Sequence, residues 1–373
     1  MKKIPMLIHA AGRCALLILV ALASFTQNAH AQYDFSKVDD WLADNVSKMG
    51  GRTILLVYKD GKIIHTEAVN EMSRRQKMVG KFIAKRQGKT ANTDDFTPTT
   101  RQLIASCSKW YSAALVMTFV DEGRLKLEDT VGKWLPALAR SGKGHITISQ
   151  CLSHMTAIKA PDLKESLQEM RKFNSMDEVI EKIASYPMEG QPGKVFRYSN
   201  TGLQIAGAVI EKISGKNFET LFAERIARPL DMKNSDFGKG KVALPAGGAS
   251  STPNDYMNFL IMLLNKGVFN GKRILSEKSV ADMQVNRVTN DVKVAYAPAE
   301  AGNFGYGFGG WVMRSHAAGA TQGPVTSPGL FGSYPWIDNQ QGYCAFLMCF
   351  YLKNDGRHER YVQLKKLVDE AVR

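Results

Sequence analysis

Apolar residues first recur at helical spacing between Ser36 and Met49, through Val38, Trp41, Leu42, Val46 and Met49. That stripe predicts a helix with Ser36 as its N-cap and Gly50-Gly51 as its stop. The pattern then changes to short apolar runs. Ile54 to Tyr58, the turn Asp60-Gly61, and Ile63-Ile64 read as a hairpin. A second hairpin is expected far downstream, where Trp336-Ile337-Asp338 and Ala345 to Met348 flank a polar turn running through Gly342. The chain closes on a helical stripe of Tyr361, Val362, Leu364, Leu367, Val368 and Val372.

Between these ends, residues 106–237 read almost entirely as helix, with Ser175 and Glu178 placed as a capping box. Thr252-Pro253 opens another helix with proline at its first position. Strands at both ends with helices between them predict an α+β fold, its antiparallel sheet assembled from both termini and flanked by terminal helices. The expected sheet lobe covers about 34–105 and 238–373, and an inserted all-helical lobe covers about 106–237. No internal repeat is present.

The 373 residues are 44% hydrophobic and 23% charged, an ordinary globular composition. The N-terminus departs from it. Lys2 and Lys3 precede the apolar run Ala15 to Ala23, and Ala29-His30-Ala31 follows as a small-x-small site. Residues 1–31 are therefore expected to be a cleavable signal peptide, sending the mature chain (about 32–373) to the periplasm or outside the cell. Cleavage removes Lys2, Lys3 and Arg13 and no acid, taking the formal net charge from +14 to +11. A basic exported protein suits anionic partners, whereas nucleic acid is excluded by export and by the lack of any nucleic-acid motif.

Part of that charge is concentrated. Between Ser73 and Thr90 stand Arg74, Arg75, Lys77, Lys81, Lys85, Arg86 and Lys89 with no acid, beside Met78, Val79, Phe82 and Ile83. Residues 73–90 are expected to form a solvated insertion, with weak contact to an anionic membrane or envelope surface as the sharper alternative. Four cysteines remain after cleavage: Cys107, Cys151, Cys344 and Cys349. Their spacing fits no zinc site. Cys344 and Cys349 fall on opposite faces of one strand, so buried free thiols are expected, with one unassigned pairing left open.

The chemistry begins at Ser106 and Lys109, which open the apolar stretch reaching Glu122. On a helix, i and i+3 share a face, so a hydroxyl lies beside an amine at the end whose free N–H groups favour negative charge. A nucleophile, a base and oxyanion donors are the parts of serine acyl transfer. Alone the spacing is weak, since a chain this long should hold on the order of one such pair by chance. The next helix is apolar nearly all round, and a buried helix seldom carries a lysine without use for it.

A second motif, Pro192 to Asn200, contains Tyr198-Ser199-Asn200 just before another helical stripe. With it, the chain resembles the serine β-lactamase and penicillin-binding protein superfamily. The similar branch holds class C β-lactamases, D-alanyl-D-alanine carboxypeptidases and related esterases. The likeness extends to Val120–Asp129 after the nucleophile helix and to Leu263–Lys272 in a late helix-turn segment. It implies the β-lactamase/transpeptidase-like fold and a cofactor-free, metal-free serine hydrolase. Ser106 would be the nucleophile, Lys109 the proton acceptor and Tyr198 the proton carrier to the leaving group. Asn200 would bind substrate or orient the lysine.

The third motif departs from the family. Ser327-Pro328-Gly329-Leu330 aligns with its Lys/His-x-Gly strand, so Ser327 stands where a cation is usual. Ser327 and Gly329 are placed as substrate-binding positions. The backbone N–H groups of Ser106 and Leu330 would form the oxyanion hole. Without the cation, a small-molecule carboxylic ester is the first substrate expectation, an amide or cell-wall D-peptide the second, and a β-lactam the third. Two rivals remain: a covalent receptor that deacylates too slowly to turn over, and a binding-only pseudoenzyme. His154 is read as structural, Cys107 as core, and His316 as a weak replacement for the missing cation.

Overall fold

The computed structural model describes residues 33–86, 92–170, 172–313 and 323–373, and Phe35–Arg373 packs as one unit. The expected signal peptide, the end of the basic segment (87–90) and His316 lie outside the described residues. The first helix, α1, runs Ser36–Asn45 and continues as a tighter turn to Met49, where Gly50 takes φ +91° and ends it. Ser36 is the first residue of the helix rather than its N-cap; Phe35 holds the cap position. Strands β1 (Arg52–Lys59) and β2 (Lys62–Asn70) form the first hairpin, followed by α2 (Arg74–Arg86). Helices α3 (Ser108–Asp121), α4 (Thr201–Ser214) and α5 (Pro253–Leu264) provide the helical scaffold, with shorter helical segments between them.

Three two-residue strands follow, β3 (Gly305–Tyr306), β4 (Trp311–Val312) and β5 (Val325–Thr326). The second hairpin, β6 (Tyr334–Asp338) and β7 (Tyr343–Cys349), leads into α6 (Arg357–Ala371). The seven strands order as β2-β1-β7-β6-β5-β4-β3, and each neighbouring pair is antiparallel. β1 pairs with β7 from Thr53 opposite Cys349 to Lys59 opposite Tyr343, so the two ends of the chain close one sheet. A sheet built from both termini is what the pattern of strands and helices predicts.

Strand alternation divides β7 between two layers. Cys344, Phe346 and Met348 join the main core with α3 and α5, whereas the Tyr343 hydroxyl donates to Asp369 of α6 at 2.6 Å. All four described cysteines are buried and free. Aromatic contacts tie α3 to the sheet: Tyr111 stacks on Tyr256 at 4.9 Å, and Tyr256 on Phe346 at 4.6 Å.

The capping expectations divide. Thr252 accepts from the Asp255 N–H at 3.2 Å, with Pro253 at the first position of α5. Ser175 accepts from the Glu178 N–H, but Glu178 returns its carboxylate to Asn174 rather than to Ser175. A full capping box sits at Thr147 and Gln150 instead. Among the described residues, no helix is long and apolar enough to cross a membrane.

Candidate active site

Ser106 lies two residues before α3, in a tight turn over Ala105–Cys107. The helical pattern extends back to Ser106, but regular α-helix starts at Ser108. Ala105 takes φ +47°, a left-handed conformation unusual for a residue with a Cβ. Several contacts hold that turn. The Ser108 hydroxyl donates to the Ala105 carbonyl at 2.5 Å and accepts from the Ala249 N–H at 3.0 Å. Tyr256 donates its hydroxyl to the Cys107 carbonyl at 3.0 Å. Cys107 is core, as its apolar neighbours suggest.

Every residue of α3 from Ser108 to Phe119 is buried, Lys109 among them. Its Nζ stands 3.1 Å from the Ser106 Oγ and 2.7 Å from the Ala246 carbonyl. It also lies 4.7 Å from the centre of the Tyr198 ring. Burial disfavours the ammonium and lowers the lysine pKa to about 7, with Cys107 a smaller opposing influence. A lysine so desolvated can stand as an uncharged amine near neutral pH. Burial moves Tyr198 the other way: its phenol is raised well above the usual range, and the neighbouring Ser106 hydroxyl only partly offsets this. The pair thus has an amine able to accept a proton beside a phenol that holds one.

Tyr198 is carried into place by a parallel two-strand pairing of Val195–Arg197 with Lys293–Tyr296. Its N–H donates to the Tyr296 carbonyl at 3.0 Å. Its ring stacks on Trp311 of β4, with centroids 5.2 Å apart, and tilts against His154 at 4.7 Å. His154 is buried and contacts the Tyr306 hydroxyl through Nε2 at 3.0 Å. Burial lowers its pKa, and repulsion from Lys109 in its protonated form adds to that, so the ring is neutral packing around Tyr198. Asn200 precedes α4 without a side-chain capping bond and lines the cavity beside Ser106.

That cavity holds about 400 Å³ and brings Ser106, Lys109, Tyr198, Asn200, Trp311 and Leu330 together. Ser327 and Gly329 are adjacent but do not line it. Ser327 is buried, its hydroxyl 2.9 Å from the Gly309 carbonyl and 3.2 Å from the Ser106 carbonyl. A Cβ on Gly329 would collide with the Ile104 carbonyl and press on the Cys107 Sγ. Glycine is needed there so that this segment can pass close to the backbone just before Ser106. Among the described residues, neither the Ser106 nor the Leu330 N–H has a protein acceptor.

Sequence reasoning missed several supporting groups. Arg357 of α6 is buried and donates to the carbonyls of Leu330, Tyr351 and Lys353, anchoring the loop beside Ser106. Arg197 lines the cavity, but Glu189 grips its guanidinium at two points, one of them 2.7 Å, and raises its pKa. Apart from Lys109, it is the only cation in the lining among the described residues. Asp162 and Glu300 line the same cavity. Tyr306, Trp311 and the Ala246 carbonyl come from segments distant in sequence and carry no local motif that would single them out.

A family model described as Beta-lactamase matches residues 53–368. Protein Rv1367c of Mycobacterium tuberculosis H37Rv is 25% identical over 288 residues, spanning 62% of this chain and 71% of that protein. A β-lactamase-like protein of Bacteroides dorei DSM 17855 shares the fold with a TM-score of 0.74 at 29% identity, over 91% of this chain and 99% of that one. EstCE1, a hydrolase with promiscuous acyltransferase activity, superposes with a TM-score of 0.67 over 90% of this chain and 98% of its own. Its 19% identity speaks to the fold alone. Motif order, the sheet closed by both termini and a family match over most of the length agree, and the chain belongs to the Beta-lactamase family, with its serine-hydrolase fold.

Proposed function

We propose that the protein is an exported serine hydrolase that cleaves a carboxylic ester or amide through an acyl-enzyme on Ser106. The observation that carries this reading is the buried Lys109 amine, with a pKa of about 7, lying 3.1 Å from the Ser106 hydroxyl. Lys109 accepts the Ser106 proton as Oγ bonds to the substrate carbonyl carbon. The N–H groups of Ser106 and Leu330 receive the oxyanion. Collapse breaks the bond to the leaving group, which takes the Tyr198 proton, and the Lys109 ammonium reprotonates the phenol. Water then enters by the reverse route and frees the acid and Ser106. Asn200 positions the substrate.

An ester is the first choice, a D-amino-acid amide the second and a β-lactam the third. A substrate carboxylate would need a cation, and Arg197 is committed to Glu189 while Ser327 is turned to backbone. Export rests on the N-terminal charge and apolar pattern. The test is turnover of a chromogenic acetate ester, with intact-mass measurement after exposure to esters, D-peptides and penicillins. Steady turnover, lost in Ser106→Ala, supports the proposal; full turnover by Ser106→Ala refutes it. The departure at Ser327 favours one rival, a covalent receptor. A single burst equal to the enzyme concentration, with a lasting adduct, would establish that reading instead.

A further inference from the structure

The hydrolytic site makes no use of α2, yet this helix has an organisation of its own. Ser73 accepts from the Gln76 N–H at 3.2 Å, and Gln76 accepts from the Ser73 N–H at 2.7 Å, a reciprocal capping box that fixes the start of the helix. An ordinary surface helix turns its apolar stripe inward. Here Gln76 and Gly80 are the half-buried positions, while Met78, Val79 and Phe82 are 68%, 49% and 61% exposed. At 100° per residue, Met78 and Phe82 lie close together on the wheel, flanked by Arg74, Lys81 and Lys85 on one side and Arg75 on the other. No acidic residue interrupts Arg74–Arg86. Exposed apolar side chains bordered by cations are the composition of a helix that lies in a lipid headgroup layer.

We propose that α2 is a peripheral membrane anchor that docks this enzyme on an anionic phospholipid surface. Lys and Arg contact the headgroups, while Met78, Val79 and Phe82 enter the boundary with the acyl chains. An anionic bilayer is the fitting occupant because the helix carries only basic charge and Met78, Val79 and Phe82 already face outward, so no part of the core has to open. Each attraction is modest, and binding requires charge and apolar area together.

The test uses the chain from Gln32, which contains the self-contained unit Phe35–Arg373 and lacks the apolar N-terminal run that would bind lipid by itself. Sedimentation compares vesicles of phosphatidylcholine alone with vesicles containing about one-third phosphatidylglycerol. Binding is expected only to the anionic vesicles and should weaken as salt rises. Replacing Lys77, Lys81 and Lys85 with Gln together should lower the partition coefficient roughly 100-fold. Met78→Ser with Phe82→Ser should lower it about tenfold. Ester turnover in solution should be unchanged in both variants, which separates this result from the fate of the hydrolase proposal. Phe82→Trp should shift its fluorescence to the blue on anionic vesicles. No binding at low salt, equal binding to neutral vesicles, or full binding by the triple Gln variant overturns the proposal. An unshifted Phe82→Trp, or retention by a soluble polyanion without any on vesicles, also overturns it.

Discussion

The start of α3 and the segment Ser327–Leu330 meet at one stretch of backbone, yet they spend their polar groups in opposite ways. At α3, burial strips solvent from Lys109 and leaves its amine 3.1 Å from a hydroxyl that opens onto a cavity. At Ser327, burial consumes the hydroxyl on two carbonyls, one of them belonging to Ser106 itself. The first arrangement costs stability and sets a proton acceptor beside a hydroxyl, because a buried amine without a counter-charge gives up its proton readily. The second contributes ordinary hydrogen bonding and offers nothing to a substrate. The acyl-transfer machinery and the handle for a substrate carboxylate are thus physically separable. In this chain Ser106, Lys109 and Tyr198 stand together, while the Ser327 hydroxyl is tied to backbone.

The sharpest way to break this comparison is to remove the nucleophile. Ser106→Ala should lower ester turnover by roughly 10⁴-fold or more, measured with enough enzyme to exclude contaminants. Lys109→Met should cost about 10³-fold, and wild-type kcat/KM should rise with pH through an apparent pKa of about 7. A profile still climbing above pH 9 would mean that the lysine is not the group that must lose its proton. Tyr198→Phe removes the hydroxyl but keeps the ring against Trp311, and it should cost about 10²-fold, more for poor leaving groups than for good ones. Equal losses across leaving groups would contradict its part as proton donor.

Lys109→Met should also stabilise the fold. The folded pKa is depressed to about 7, while an unfolded lysine keeps the ordinary 10.5. Below pH 7 the lysine is protonated in both states, and the folded protein bears the whole cost of a buried charge. Between about 7 and 10.5 the unfolded chain binds more protons, so wild-type stability rises with pH across that window. The advantage of Lys109→Met, on the order of a few kcal/mol, should be constant between pH 5 and 7 and shrink above 7. Chemical denaturation at pH 6 and pH 9 checks this, and an advantage that grows with pH would contradict it. The smallest effect belongs to the other region. Ser327→Ala should cost about 1 kcal/mol of stability and change turnover less than about fivefold. A loss matching that of Tyr198→Phe would give Ser327 a part in catalysis and erase the contrast.

What the sequence revealed, and what it hid, follows the range of the interactions involved. The Ser106–Lys109 pairing was legible because i and i+3 proximity is local, and the hairpins because their alternation is local too. The turn at Ala105 was not, since its left-handed backbone is held by Ser108, Ala249 and Tyr256, two of them well over 100 residues away. Strands β3 to β5 have two residues each, too few to show alternation. Ser327 could be aligned but not interpreted, because the Gly309 carbonyl that shares its hydroxyl comes from another strand connection. The apolar stripe of α2 was visible in sequence, whereas its outward turn was not. Periodicity shows that a face exists and is silent on which side faces the protein.

The central claim is that Lys109 is an uncharged amine at working pH. It is tested most directly by NMR titration of the protein labelled with ¹³Cε-lysine, comparing wild type with Lys109→Met. One resonance should titrate near pH 7 and be missing from the variant. If all lysine resonances stay protonated up to pH 9, Lys109 is an ordinary ammonium and the account of Ser106 activation fails.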